Sequence, residues 1–219
     1  MTEIILIRHG ETDWNRVRRM QGHLDISLNA HGRLQARALA AALADEPFDA
    51  IYASDLQRAR DTAHAIATAH HKQVKIDAAL RERCYGAFEG LMYDEISAHY
   101  PEAFAQWRAR DPHARFPEGE RSAETLHEFS LRAVAAVTHL AHQHQGGKII
   151  IVTHGGVLDC IYRAAHGMDL LEPREFDMKN AAINRLHWRD SALHVTQWSQ
   201  VTHLTHFDMA TLDEIDRQA

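Results

Sequence analysis

Cysteine is nearly absent: Cys84 and Cys160 are the only two in 219 residues, far apart and in no metal-like spacing. A disulfide framework is thereby excluded, and two reduced thiols are expected. No window approaches the roughly 18 apolar residues of a membrane span, so no membrane partner is expected. No run of Lys and Arg tracks a nucleic-acid backbone and the formal net charge is -6, which argues against nucleic acid as a partner. Residues Met1 to Ile7 pass from one charged residue into a short apolar run ended by Arg8, without the basic segment and longer apolar stretch of a signal peptide. A cytoplasmic location is expected. Of only 5 prolines, Pro101, Pro112 and Pro117 fall within one irregular stretch, about 92–121. There is no internal repeat, low-complexity tract or linker.

The composition, 45% hydrophobic and 25% charged, is that of a globular protein. A chain of this length buries roughly 70% of the surface its unfolded form exposes, so one domain, 1–219, needs no staple. Glu3 to Ile7 and Lys148 to Val152 are short β-branched runs, the pattern of strands buried on both faces. Asn29 is placed to cap a helix over about 30–44, Ala50 to Ala53 reads as a short strand, and Ser54 or Asp55 is placed to cap a helix to about His70. Val74 to Asp77 suggests another strand. Ala123 to Gln145 is predicted as a long amphipathic helix stopped by Gly146-Gly147, and Val157 to His166 as another. Ile183 to Trp188 and Ala192 to Trp198 alternate as an edge hairpin does, an edge able to pair across a homodimer. The tail, 202–219, is polar and acidic, and the irregular stretch 92–121 is the natural place for a cap over a site. The alternation of strands and helices predicts an α/β fold with a mostly parallel central sheet.

Each of the two buried runs ends in a histidine followed by glycine: Arg8-His9-Gly10 and Thr153-His154-Gly155-Gly156. Ligands of open α/β sheets bind beyond the carboxyl ends of strands, and Arg8, His9, Ser54, Arg58, His154 and Gly155 all fall there. Guanidinium forks, imidazoles and the amino end of a helix near Gly155 suit a tetrahedral dianion, so the crevice is expected to bind phosphate. One His-Gly turn would be unremarkable; two with Arg8 and Arg58 favour a site. The other histidines of helical stretches, such as His64, His139 and His142, have no carboxylates arranged around them and are expected at the surface. No acidic cluster has the look of a magnesium site, so no metal is expected.

Arg8-His9-Gly10-Glu11-Thr12 with Asn15 and Gln21-Gly22 resembles the signature of the histidine phosphatase superfamily, the phosphoglycerate mutase-like proteins. Ser54 to Ala59, Leu80 to Arg83 with Tyr85-Gly86, and Val152 to Gly156 resemble its further motifs, in order. The resemblance implies a three-layer α/β/α fold with a small helical cap. It implies that His9 is a phosphorylated nucleophile, that Arg8, Arg58 and His154 hold the phosphoryl oxygens, and that Glu82 is proton donor and then base. Asn15, Gln21 and Gly22 would complete the phosphate and substrate contacts. Asn180 and Asn184 also lie in a family-like segment and receive no role. The implied reaction is cofactor-free hydrolysis of a small phosphorylated metabolite. The alternative is a phosphoglycerate mutase using 2,3-bisphosphoglycerate, which the short stretch after Tyr85-Gly86 disfavours because such mutases carry a longer insert there. A non-catalytic phospholigand-binding module is disfavoured by the presence of His9, Glu82 and His154 together.

Overall fold

A computed structural model describes residues 1–205. Its sheet comprises β1 (Thr2–Arg8), β2 (Ala50–Ala53), β3 (Val74–Ile76), β4 (Lys148–Thr153), β5 (Ile183–Arg189) and β6 (Ala192–Gln200), in spatial order β3-β2-β4-β1-β5-β6. The first four in that order run parallel, and β5 and β6 form an antiparallel hairpin at one side. The helices are α1 (Asp13–Arg16), α2 (Ala30–Ala42), α3 (Gln57–Ala69), α4 (Tyr93–His99), α5 (Pro101–Arg108), α6 (Leu126–Gln143) and α7 (Gly155–His166).

Alternation along the strands splits the core into two layers. Ile4, Leu6, Ile149 and Ile151 face Phe129, Val137 and Leu140 of α6 and Val157 and Ile161 of α7. Ile5, Ile7, Ile150 and Val152 face Leu39 of α2 and Ala59, Ala63 and Ile66 of α3. Both faces being covered explains why β1 and β4 carry continuous apolar runs. The result is a three-layer α/β fold. Each fully buried Ile or Leu contributes about 1.5–3 kcal/mol relative to exposure, so the central strands are held firmly and their carboxyl ends are fixed points.

Several boundaries differ from the sequence expectation. Neither Ser54 nor Asp55 caps α3: the helix starts after Leu56, whose side chain cannot cap it, the Gln57 N–H going to Asp25 Oδ1 at 2.6 Å, and both carboxylate oxygens of Asp55 accept from Arg81, at 2.7 and 2.5 Å. The long helix begins at Leu126, not Ala123, because Thr125 and Glu128 form a reciprocal capping box. The prolines of 92–121 do not prevent helix there: Pro101 occupies the first turn of α5, where its missing N–H costs nothing. Helices α4 and α5 pack Ile96, Phe104 and Trp107 with Phe88 and Phe116 in a third apolar cluster apart from the sheet. The one-turn α1 was not anticipated. Of the tail 202–219, a short 3-10 turn spans Thr202–Leu204, and residues 206–219 lie outside the described residues. Among the described residues no helix is long and apolar enough to cross a membrane.

Candidate active site

Parallel pairing sets Arg8 of β1 opposite Thr153 of β4, so the next residues, His9 and His154, emerge side by side. The His9 N–H donates to Thr153 O at 2.9 Å, and the two imidazoles meet with centroids 5.2 Å apart. Strand β2 ends beside β4, and the following α3 carries Arg58 in its first turn. Thr62, one turn later, donates to Arg58 O at 2.8 Å and accepts the Gly10 N–H at 3.0 Å, tying α3 to the His9 turn. Asn180 closes the turn from the other side, donating to His9 O at 2.9 Å.

The His9 ring is oriented by its neighbour. Its Nδ1 lies 2.7 Å from Gly10 O, and since a carbonyl oxygen only accepts, Nδ1 carries the proton and Nε2 the lone pair. Burial lowers its pKa well below the usual 6.5, and Arg58 and then Arg8 push in the same direction, so the ring stays neutral. The pKa of His154 is lowered the same way, first by burial and then by Arg58.

Arg58 is fully buried, with its guanidinium donating to Leu24 O and Gly22 O, each at 2.8 Å. Burial pulls its pKa down to about 10, which leaves it charged at neutrality. Gly22 is required where it stands: its φ is +50° and any Cβ would strike the Glu89 carboxyl. Arg8 donates to Met178 O at 2.6 Å.

Glu82 reaches the same place from the irregular segment after β3. Its oxygens accept from Arg83 N at 2.8 Å and Gly156 N at 3.0 Å. A Cβ at position 156 would collide with this carboxyl, so Gly156 makes the approach possible. Loss of water raises the Glu82 pKa, opposed by the two N–H donors and by Arg58 and Arg8.

These groups line a cleft of about 460 Å³: Arg8, His9, Arg58 and Glu82, with Asn15, Gln21 and Gly22. The sequence reading missed Trp14, Arg18, Arg19, Met20, Tyr85 and Tyr93, which complete the lining. Tyr93 opens α4 within the stretch 92–121 expected as a cap, so that stretch reaches the cleft, though nothing singled out Tyr93 itself. Asn15 also has a structural task, accepting the Thr12 N–H at 3.0 Å in the cap of α1. His154 and Gly155 are not among the lining residues. His154 is wholly buried beside His9, and neither ring nitrogen has a hydrogen-bond partner among the described residues. Two arginines, two neutral imidazoles and a carboxyl of raised pKa can bind a phosphoryl dianion, attack it and supply a proton. Among the described residues no three His, Cys, Asp or Glu side chains cluster so as to hold a metal ion.

The sequence pattern of the histidine phosphatase superfamily (branch 1) matches residues 4–201. The chain belongs to that superfamily. A metal-independent phosphoserine phosphatase of Arabidopsis thaliana is 38% identical to this histidine phosphatase superfamily member over 211 residues, covering 94% of this chain and 84% of the relative. A probable phosphoglycerate mutase, GpmB, of Escherichia coli O1:K1 / APEC is 32% identical over 223 residues, covering 99% and 100%. A crystal structure of a phosphoserine phosphatase mutant from Entamoeba histolytica in complex with phosphoserine superposes with a TM-score of 0.81 at 27% identity, covering 93% of this chain and 100% of that one. The superfamily member described here is therefore an enzyme of the histidine phosphatase class with the fold of its structural neighbours.

Proposed function

We propose that this enzyme is a metal-independent, cytoplasmic phosphomonoesterase that hydrolyses a small phosphorylated metabolite through a phosphohistidine on Nε2 of His9. The observation that carries the reading is the His9 Nδ1–H bond to Gly10 O, which directs the lone pair to Nε2 in a cleft shared with Arg8, Arg58 and Glu82. Arg8, Arg58 and His154 bind the phosphoryl oxygens and stabilise charge in the transition state, the main demand of phosphoryl transfer. Nε2 attacks phosphorus while the Glu82 carboxyl gives its proton to the leaving alkoxide, releasing the alcohol. Glu82, now a carboxylate, takes a proton from water as the water oxygen attacks phosphorus. The P–N bond breaks, phosphate leaves and both groups return to their starting states. Helices α4 and α5 serve as the cap, with Tyr93 over the cleft.

The relatives named for phosphoserine, and a structural neighbour solved with 3-phosphoglyceric acid, support a short phosphomonoester such as phosphoserine or a phosphoglycerate as the substrate class. The full-length similarity to a probable phosphoglycerate mutase supports a second reading, transfer of the phosphoryl group to another substrate hydroxyl. Enzyme quenched during turnover of a 32P-labelled ester is expected to carry acid-labile, base-stable label that His9→Ala lacks. Turnover by His9→Ala would refute the covalent route. Incubation with 3-phosphoglycerate and catalytic 2,3-bisphosphoglycerate, followed by 31P NMR, is expected to show free phosphate. Rapid interconversion of the 2- and 3-phosphates with little free phosphate would establish the mutase.

A further inference from the structure

The segment that carries Glu82 has no strand neighbour to satisfy its backbone. From Asp77 to Glu89 only two short 3-10 turns, Ala78–Leu80 and Gly86–Phe88, interrupt it. Yet four successive carbonyl oxygens are each met by a side chain. Thr153 Oγ1 donates to Leu80 O at 2.7 Å. Arg132, from α6, reaches the other three: its Nη1 donates to Ala79 O at 2.9 Å and Arg81 O at 3.0 Å, and its Nη2 to Glu82 O at 3.1 Å, an oxygen that His23 Nε2 also reaches at 2.8 Å. The remaining N–H groups of the same guanidinium, on Nε and Nη2, go to the two oxygens of Glu124 at 2.7 Å each. All five donors of the fork are thus engaged.

Glu124 extends the hold. Its carboxylate accepts the Cys84 N–H at 2.9 Å, its own N–H donates to Cys84 O at 2.9 Å, and its carbonyl accepts from Arg83 Nε at 2.9 Å. Glu82 stands in the middle of the stretch so fixed, and Arg132 is not among the residues lining the cleft.

We propose that Arg132, locked by Glu124, is a positioning residue that sets the Glu82 carboxyl at the leaving-group oxygen. The proposal rests on the reading of Glu82 as general acid. A general acid acts only within hydrogen-bond reach of its target. Here Arg132 does for an irregular segment what a neighbouring strand does in a sheet. A lysine keeps the charge and much of the length but not the planar fork, so it cannot bridge three carbonyls and a carboxylate at once.

A residue needed only for stability would affect all substrates alike; one that aims the acid matters most where the leaving group needs a proton. The test compares p-nitrophenyl, phenyl and benzyl phosphate, similar in size and rising in leaving-group basicity. It measures kcat/KM, which reports phosphoryl transfer to His9, for wild type, Arg132→Lys, Arg132→Met and Glu82→Gln. Arg132→Met is expected to lose about 10- to 100-fold with benzyl phosphate and less than about threefold with p-nitrophenyl phosphate, with Arg132→Lys between it and wild type. Glu82→Gln is expected to show the same selectivity, more steeply. Equal losses across the three esters, or none, in both Arg132 variants would overturn the proposal; should the methionine variant fail to fold, the lysine variant decides. Equal losses across the series in Glu82→Gln would instead remove Glu82 as the acid, a distinguishable result.

Discussion

The imidazoles of His9 and His154 cross at 61° with their centroids 5.2 Å apart, each just beyond the end of one of two paired parallel strands. In the proposed mechanism His154 supports the reacting ring and adds a donor beside it. His154→Ala is expected to lower kcat about 10²- to 10³-fold, as removal of one preorganised donor does. Vanadate should bind the variant more weakly by isothermal titration. An unchanged vanadate affinity would take His154 out of the phosphoryl site.

The same two rings predict an acid-sensitive fold. Their folded pKa values lie well below 6.5 because of burial, whereas the unfolded chain regains a value near 6.5. Below that pH the unfolded state binds protons that the folded state refuses, so stability is full above about 6.5 and falls with pH, by about 1.4 kcal/mol per unit for each ring that stays neutral. Thermal melts between pH 7.5 and 5.0 should show a shallower decline for His154→Ala than for wild type. Coincident slopes would mean that the buried ring is charged in the folded protein.

A prediction independent of the site concerns Glu46. It accepts from Arg185 at 2.6 Å through each oxygen and from Lys148 at 2.9 Å, and these partners, Arg185 foremost, hold its pKa at about 2. Glu46 and Arg185 are 19% and 31% exposed, so solvent screening reduces the expected contribution to about 1 kcal/mol. A folded pKa below the unfolded one means stability that is present above about pH 4.5 and is lost as the pH falls toward 2. Urea unfolding of Glu46→Gln should show this loss at pH 7 and a smaller one at about pH 4, with kcat unchanged. An equal loss at both pH values would point to packing instead of charge.

Activity is expected to survive exhaustive dialysis against EDTA, because Arg8 and Arg58 supply the positive field. Full loss, restored by magnesium or manganese, would contradict the metal-independent mechanism.

The histidines were legible in the sequence because a buried strand writes itself as an uninterrupted apolar run, and whatever follows the run must lie at the sheet edge. His9 and His154 could be placed that way, and Arg58 by the same reasoning at β2. Glu82 came only from resemblance, since its segment has no periodicity to read. Asn180 and Arg132 were not legible as partners: they meet residues 171 and 50 positions away through side chain to backbone hydrogen bonds, which leave no spacing in the chain. The start of α6 was legible but misread. Thr125 and Glu128 carry a capping box, while the apolar Ala123 before it extended the apparent helix. Asp55 looked like a cap until Arg81, remote in sequence, proved to hold it.

The sheet order has a consequence for how the protein is made. Strand β1 precedes both of its sheet neighbours in the chain: it lies between β4 and β5, so one flank can be filled only once residues 148–153 exist and the other only once residues 183–189 do. At ordinary elongation rates that is a wait of roughly ten to forty seconds. Until then β1, an apolar strand over Ile4 to Ile7, has at least one hydrogen-bonding edge open, a template for pairing with other chains. The placement that brings His9 beside His154 thus also leaves the newborn chain open to strand pairing with other chains, and chaperone co-expression is expected to raise the soluble yield.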